Sequence, residues 1–176
     1  VAVGGFYDVP GLPPTSVRMA AYARYAPDLA MQAIAGLGDA RDPARPTHIV
    51  VASCTGFVAP GIDQILAKRL ELAPTVERVL IGFMGCYAGV TALRTARHIV
   101  RSEPDAVVLV VSVELSTLHL SLADQPEPLL AMLQFSDGAA AGIVSAAAHG
   151  FELGEGRSLA LGDSEDLIRW DIGDKG

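Results

Sequence analysis

Three apolar runs mark the chain, at 48–53, 76–83 and 106–115, and the segments between them carry apolar residues every third or fourth position. Short runs rich in Val, Ile and Leu predict strands, and 106–115 has the nearly unbroken apolar character of a strand buried on both faces. Between the first two runs, Ile62, Ile65, Leu66 and Leu70 share one helical face, with Asp63, Lys68 and Glu71 elsewhere. Between the second and third, a helix over 87–102 is predicted to pack Val90, Leu93, Ala96 and Val100 while exposing Arg94, Arg97, His98 and Arg101. The order βαβαβ predicts an α/β fold with a mostly parallel central sheet flanked by helices.

The flanks are less regular. Residues 1–14 read as loop, and Ser16 is placed to cap a helix through Met19, Tyr22 and Ala23. Ala26-Pro27-Asp28 is predicted to bend or restart that helix, and Gly38 to end it. Residues 39–46 form a charged connection, and 54–61 a turn-rich loop. After a loop at 121–126, a short helix reaches Leu133, Asp137-Gly138 reads as a turn, and the small residues to Ser145 suit a strand beneath a close helix. A last strand is predicted at 158–161.

Composition narrows the picture. At 176 residues and 51% hydrophobic content the chain can bury a substantial core as one domain, without disulfides or metal. Its two cysteines, Cys54 and Cys86, make no disulfide framework, and no Cys or His pair has metal-ligand spacing, so no metal site is expected. Reduced thiols and the lack of any bilayer-length apolar run predict a cytoplasmic protein with no membrane partner. A net charge of −7 argues against a nucleic-acid surface. Both termini fall in Gly- or Pro-rich or polar stretches and look cut, so functional groups are expected outside this window.

Cys86 is the residue with the clearest chemical promise, because it stands where a predicted strand runs into a predicted helix. A thiol at such a junction faces unpaired N–H groups and the positive end of the helix dipole, which favours the nucleophilic thiolate. Ordinary packing is the alternative, since Cys is among the most buried residue types. A glutaminase elbow wants Gly two residues either side of the Cys, whereas Met84 and Ala88 stand there; a redox pair needs a second Cys close by.

With these residues laid out, the chain resembles the type III polyketide synthases, the chalcone and stilbene synthase family of thiolase-fold condensing enzymes. The resemblance rests on Gly85-Cys86-Tyr87-Ala88-Gly89, on Ser53-Cys54-Thr55-Gly56-Phe57-Val58-Ala59-Pro60-Gly61, on Val113-Glu114-Leu115-Ser116, and on Phe135-Ser136-Asp137-Gly138-Ala139-Ala140-Ala141, in that family's relative placement. It implies a thiolase-like fold, with 1–176 as the N-terminal half and the C-terminal half absent. Cys86 then matches the nucleophile that takes the starter acyl group from CoA, and Phe135 matches a gatekeeper between CoA tunnel and cavity. Cys54, Thr55, Ser116 and His119 match cavity-lining positions; chalcone synthases usually carry Thr at the position of Cys54. Glu114 matches a buried glutamate beside that cavity, costly there unless hydrogen-bonded. Ala59 falls where plant members carry a Met that crosses the dimer interface, which implies a roomier cavity and a longer starter, and Ala59-Pro60 is an implied cis peptide.

The same resemblance implies an acyltransferase that condenses malonyl-CoA onto an acyl-CoA starter, as a homodimer, with CoA thioesters as substrates and no cofactor. The His and Asn that assist the family's Cys lie beyond Gly176, so 1–176 alone is expected to be inactive in condensation. Two alternatives stay open at this point: a ketoacyl-carrier-protein synthase of the type III kind, and a non-catalytic acyl-CoA-binding or dimerisation module.

Overall fold

The computed structural model describes residues 5–38, 45–122, 124–148, 150–164, 167 and 170–175. The elements are α1 (Thr15–Ala35), β1 (His48–Ala52), α2 (Ile62–Arg69), β2 (Glu77–Ile81), α3 (Ala88–Ser102), β3 (Val108–Leu115), a 3-10 turn (Ser116–His119), α4 (Pro126–Leu133) and β4 (Asp137–Val144). The sheet order is β2-β1-β3-β4. Its first three strands are parallel, and β4 runs antiparallel to β3. The predicted α/β sheet between helices is therefore present.

The two-residue period of the strands divides the core. Ile49 and Val51 of β1, with Leu109, Val111 and Val113 of β3, face α1 and α2, where Tyr22, Ala26, Ile34, Ile62 and Leu66 close over them. Val50, Ala52, Val108 and Val110 face the other way, against Ala88, Ala92, Ala96 and Val100 of α3. Every residue of β1 is buried, as befits a central strand covered on both sides.

Several local expectations are corrected. Helix α1 continues through Pro27 without a restart, and Pro27 is itself buried, so packing on the sheet outweighs the lost backbone hydrogen bond. Its N-cap is Pro14 rather than Ser16, and the Thr15 N–H donates to the Asp174 carbonyl at 2.8 Å. The Thr15 hydroxyl also bonds Gly173. The distant C-terminal segment thus does the capping. The helix ends at Ala35, before Gly38.

On α3 the small stripe of every fourth residue faces the sheet, because alanines allow the closest approach; Val90 is 64% exposed and Leu93 is also exposed. Arg94 and Arg97, expected in solvent, are half-buried instead. Arg97 Nε donates to the Leu153 carbonyl at 2.9 Å, and Arg94 meets the Ser158 hydroxyl. Strand β2 is a largely exposed edge of the sheet. Asp137-Gly138 opens β4 and is not a turn. No strand forms at 158–161, where Leu159 and Leu161 are exposed. Residues 39–44 of the connection and His149 fall outside the described residues. Among the described residues, no helix is long and apolar enough to cross a membrane.

Candidate functional site

Two loops leave the C-terminal ends of neighbouring parallel strands: 53–61 after β1 and 82–87 after β2. That edge of an open α/β sheet is where ligands characteristically bind. Cys86 sits in the second loop, immediately before Tyr87, the N-cap of α3. The turn that brings it there is sharp. Phe83 and Gly85 have φ of 54° and 74°, and the Ala88 N–H returns to the Gly85 carbonyl at 3.1 Å. A Cβ at Gly85 would meet nothing, so glycine is required there by backbone conformation rather than by space. Cys86 is an exposed free thiol, and among the described residues its sulfur has no hydrogen-bond partner.

Beside it the first loop is held by a carboxylate. Glu114, pointing from β3, accepts from the Cys54 N–H at 2.9 Å and 3.1 Å through its two oxygens, and from the Thr55 N–H at 3.0 Å. The Thr55 hydroxyl donates to Glu114 at 2.7 Å while accepting from the Leu115 N–H at 2.8 Å. The expected polar network around this strand glutamate is therefore present and compensates its burial. Cys54 in turn points its thiol at the Gly85 carbonyl, 3.8 Å away, linking the two loops.

Ser53 extends the group inward, accepting the Tyr22 hydroxyl at 2.6 Å. Burial, partly opposed by the Ser53 bond and reinforced by the Glu114 charge, pushes the Tyr22 phenol up to about 12. Gly56 follows because a Cβ there would lie 2.2 Å from the Tyr22 ring.

His119, in the 3-10 turn after β3, donates from Nε2 to the Thr55 carbonyl at 2.6 Å. Its Nδ1 is buried without a partner among the described residues, and Trp170 packs edge-on against the ring at 4.6 Å. Burial lowers the His119 pKa below its ordinary value, with the Thr55 bond opposing and the nearby Arg18 charge assisting. The imidazole is thus kept neutral in the folded chain. Unfolded His119 takes up its proton first as pH falls below 6.5, so stability is fully present above that pH and declines beneath it. Urea midpoints measured from about pH 7 to about pH 5 should fall in the native protein and fall less in His119→Gln. Equal slopes would remove His119 as a source.

The structure therefore gathers Cys54, Thr55, Glu114 and His119 into one hydrogen-bonded group next to the Cys86 loop. Ser116 and Phe135 lie outside that hydrogen-bonded group. Ser116 opens the 3-10 turn, half-buried, and Phe135 stands 53% exposed before β4. Asp137 ties the two segments together, accepting from the Thr117 N–H at 2.9 Å and hydroxyl at 2.7 Å.

Next to the group lies an open cleft of about 470 Å³, lined by Phe57, Ala59, Leu80 and Phe83 among others. Ala59-Pro60 on its wall is a cis peptide, as the resemblance implied. Sequence reasoning missed Ser53, Phe57, Phe83 and Trp170. Strand alternation carried one residue beyond β1 places Ser53 on the face of Ile49 and Val51, which is the α1 side, so its meeting with Tyr22 had a readable signal.

Comparison with known proteins agrees with this geometry. The family model for chalcone and stilbene synthases, N-terminal domain, matches residues 14–148. The alpha-pyrone synthesis polyketide synthase-like protein Pks18 of Mycobacterium tuberculosis is 35% identical over 144 residues, which cover 80% of this chain and 35% of Pks18. The crystal structure of 1,3,6,8-tetrahydroxynaphthalene synthase from Streptomyces coelicolor, a bacterial type III polyketide synthase, superposes with a TM-score of 0.83 at 29% identity, covering 93% of this chain and 48% of that one. CsyB, solved in complex with CoA-SH, gives a TM-score of 0.75 at 27% identity, covering 95% of this chain and 50% of its own. The chain thus spans between a third and a half of these relatives. Its sheet, its flanking helices and its sequence are those of a thiolase-like polyketide synthase, and the chain belongs to the chalcone and stilbene synthase family, within that family's N-terminal domain.

Proposed function

We propose that residues 1–176 form the N-terminal, nucleophile-bearing half of a type III polyketide synthase, working in the cytoplasm as a homodimer. The observation that carries this reading is the exposed Cys86 thiol, set on a glycine turn at the C-terminal edge of the sheet, in a loop whose Gly82 and Phe83 line an apolar cleft. The Cys86 thiolate attacks the carbonyl carbon of an acyl-CoA starter and CoA leaves as its thiolate. Exchange between two thioesters is nearly isoenergetic, which suits Cys better than Ser. Malonyl-CoA then loses CO2, and its enolate carbon attacks the Cys86 thioester, releasing the Cys86 thiolate and a chain two carbons longer on CoA. No cofactor takes part.

Within this reading Glu114 is a positioning residue that fixes the 53–55 backbone. Cys54, Thr55, Ser116, His119 and Phe135 border the space that the growing chain occupies. The small Ala59 on the cleft wall supports a long acyl starter. Exposed Val90 and Leu93 on α3, with Leu130 and Leu133 on α4, support burial of these faces by further chain of the synthase and by its dimer partner.

The test is mass spectrometry of the peptide containing Cys86 after incubation of the protein with acyl-CoA starters of graded length and malonyl-CoA. Acyl groups on Cys86, favouring long aliphatic starters, are expected. A preference for short aromatic starters would remove the argument from Ala59, and an unmodified Cys86 would point to a binding module. The assisting His and Asn are assigned to chain outside 1–176, so this polypeptide alone should release no CO2 from malonyl-CoA above the buffer rate. Release by 1–176 alone would place that machinery inside it.

A further inference from the structure

At the opposite ends of the parallel strands from Cys86, three side chains distant in sequence converge. His48 and Glu77 are register partners at the N-terminal ends of β1 and β2, and Glu103, the C-cap of α3, reaches the same place. His48 Nε2 lies 3.7 Å from a Glu77 oxygen and 3.9 Å from a Glu103 oxygen, and all three atoms fall within 4.8 Å of one another. These separations are too long for hydrogen bonds. His48 is only 5% exposed, so its ring is held by packing, whereas both glutamates are exposed and can adjust.

Thr47 anchors the imidazole. Its hydroxyl oxygen accepts from the Val107 N–H at 3.0 Å and lies 3.2 Å from the Val107 carbonyl and 2.9 Å from His48 Nδ1. With the hydroxyl proton on the carbonyl, Nδ1–H donates to the hydroxyl oxygen, and in that tautomer Nε2 presents its lone pair to the two carboxylates. Three donors face one point, and a metal ion there, like a proton on Nε2, offsets the repulsion between the carboxylates. A metal-binding imidazole anchored through its other nitrogen is the usual outer-shell arrangement.

We propose that His48, Glu77 and Glu103 bind a divalent transition-metal ion of the zinc class, with water completing its shell. One imidazole nitrogen and two carboxylate oxygens suit a borderline ion better than the oxygen-seeking magnesium or calcium. Bond lengths of about 2.1 Å require the donors to close in by roughly half an ångström, which the exposed glutamates supply. The ion joins β1, β2 and the end of α3, and takes no part in chemistry at Cys86. Cys and His spacing had pointed to no metal because this donor set is made by strand register and a helix end.

Calorimetric titration of the metal-free chain with Zn²⁺, in a non-chelating buffer, tests the site. About one ion per chain is expected, with Glu77→Gln and Glu103→Gln each weakening affinity at least about tenfold. Both changes are on exposed side chains, so folding is preserved and far-UV circular dichroism verifies it. Alkylating Cys54 and Cys86 should leave the affinity unchanged. Absence of saturable binding, native affinity retained in both glutamine variants, or loss of binding on alkylation would each overturn the proposal. The titration is independent of whether Cys86 accepts an acyl group.

Discussion

Replacing Cys86 by Ala is expected to abolish acyl loading on its peptide and to lower condensation by the full synthase at least about 1,000-fold, as removal of a covalent nucleophile does in other acyl-transfer enzymes. The same change should leave stability within about 0.5 kcal/mol, because the side chain is exposed and makes no hydrogen bond among the described residues. That combination separates a chemical role from a structural one. Cys54→Ala is the natural control, since its thiol bridges to the Gly85 carbonyl and its loss should perturb the loops while leaving loading detectable. Loading that survives in Cys86→Ala, read by intact-protein mass and by the proteolytic peptide, would move the nucleophile elsewhere.

The second large effect is expected at Glu114. Glu114→Ala strips the acceptor from two backbone N–H groups, of Cys54 and Thr55, and from the Thr55 hydroxyl. Donors left unsatisfied away from solvent cost about 1–3 kcal/mol each, partly recovered as water enters, so a net loss of about 3 kcal/mol is expected. Glu114→Gln keeps the shape but turns an amide NH2 toward donors, and should cost about 2 kcal/mol. The measurement is the shift of the urea midpoint at unchanged slope. A loss below about 0.5 kcal/mol in both variants would show that the 53–55 loop holds itself without the carboxylate.

Much of this architecture was legible in the sequence because the core strands bury both faces and carry unbroken runs of Val, Leu and Ile. The run at 106–115 is the clearest case, giving β3 from Val108 to Leu115. Where sidedness mattered, the reading failed. Periodicity alone could not choose between the Val90/Leu93 face and the Ala88/Ala92/Ala96 face of α3, since closeness of approach, rather than side-chain size, decides which face a sheet accepts. Pro27 reads as a bend or restart because helix propensity is local, while the burial that keeps α1 continuous is tertiary. The site shows the same division. Motifs located the Cys86 turn, Cys54-Thr55 and Glu114, but only the register of β1 against β3 reveals that one carboxylate serves two consecutive amides. His48, Glu77 and Glu103 left no local signal at all.

The contact between Thr15 and Gly173, 158 residues apart, also sets an order of assembly. A ribosome delivers α1 before β4, on which it packs, and before residues 173–174, whose carbonyls meet its opening turn. Helix α1 is therefore finished only after the whole four-stranded sheet has been made, and until then the nascent chain carries it as an apolar segment whose first turn lacks these partners.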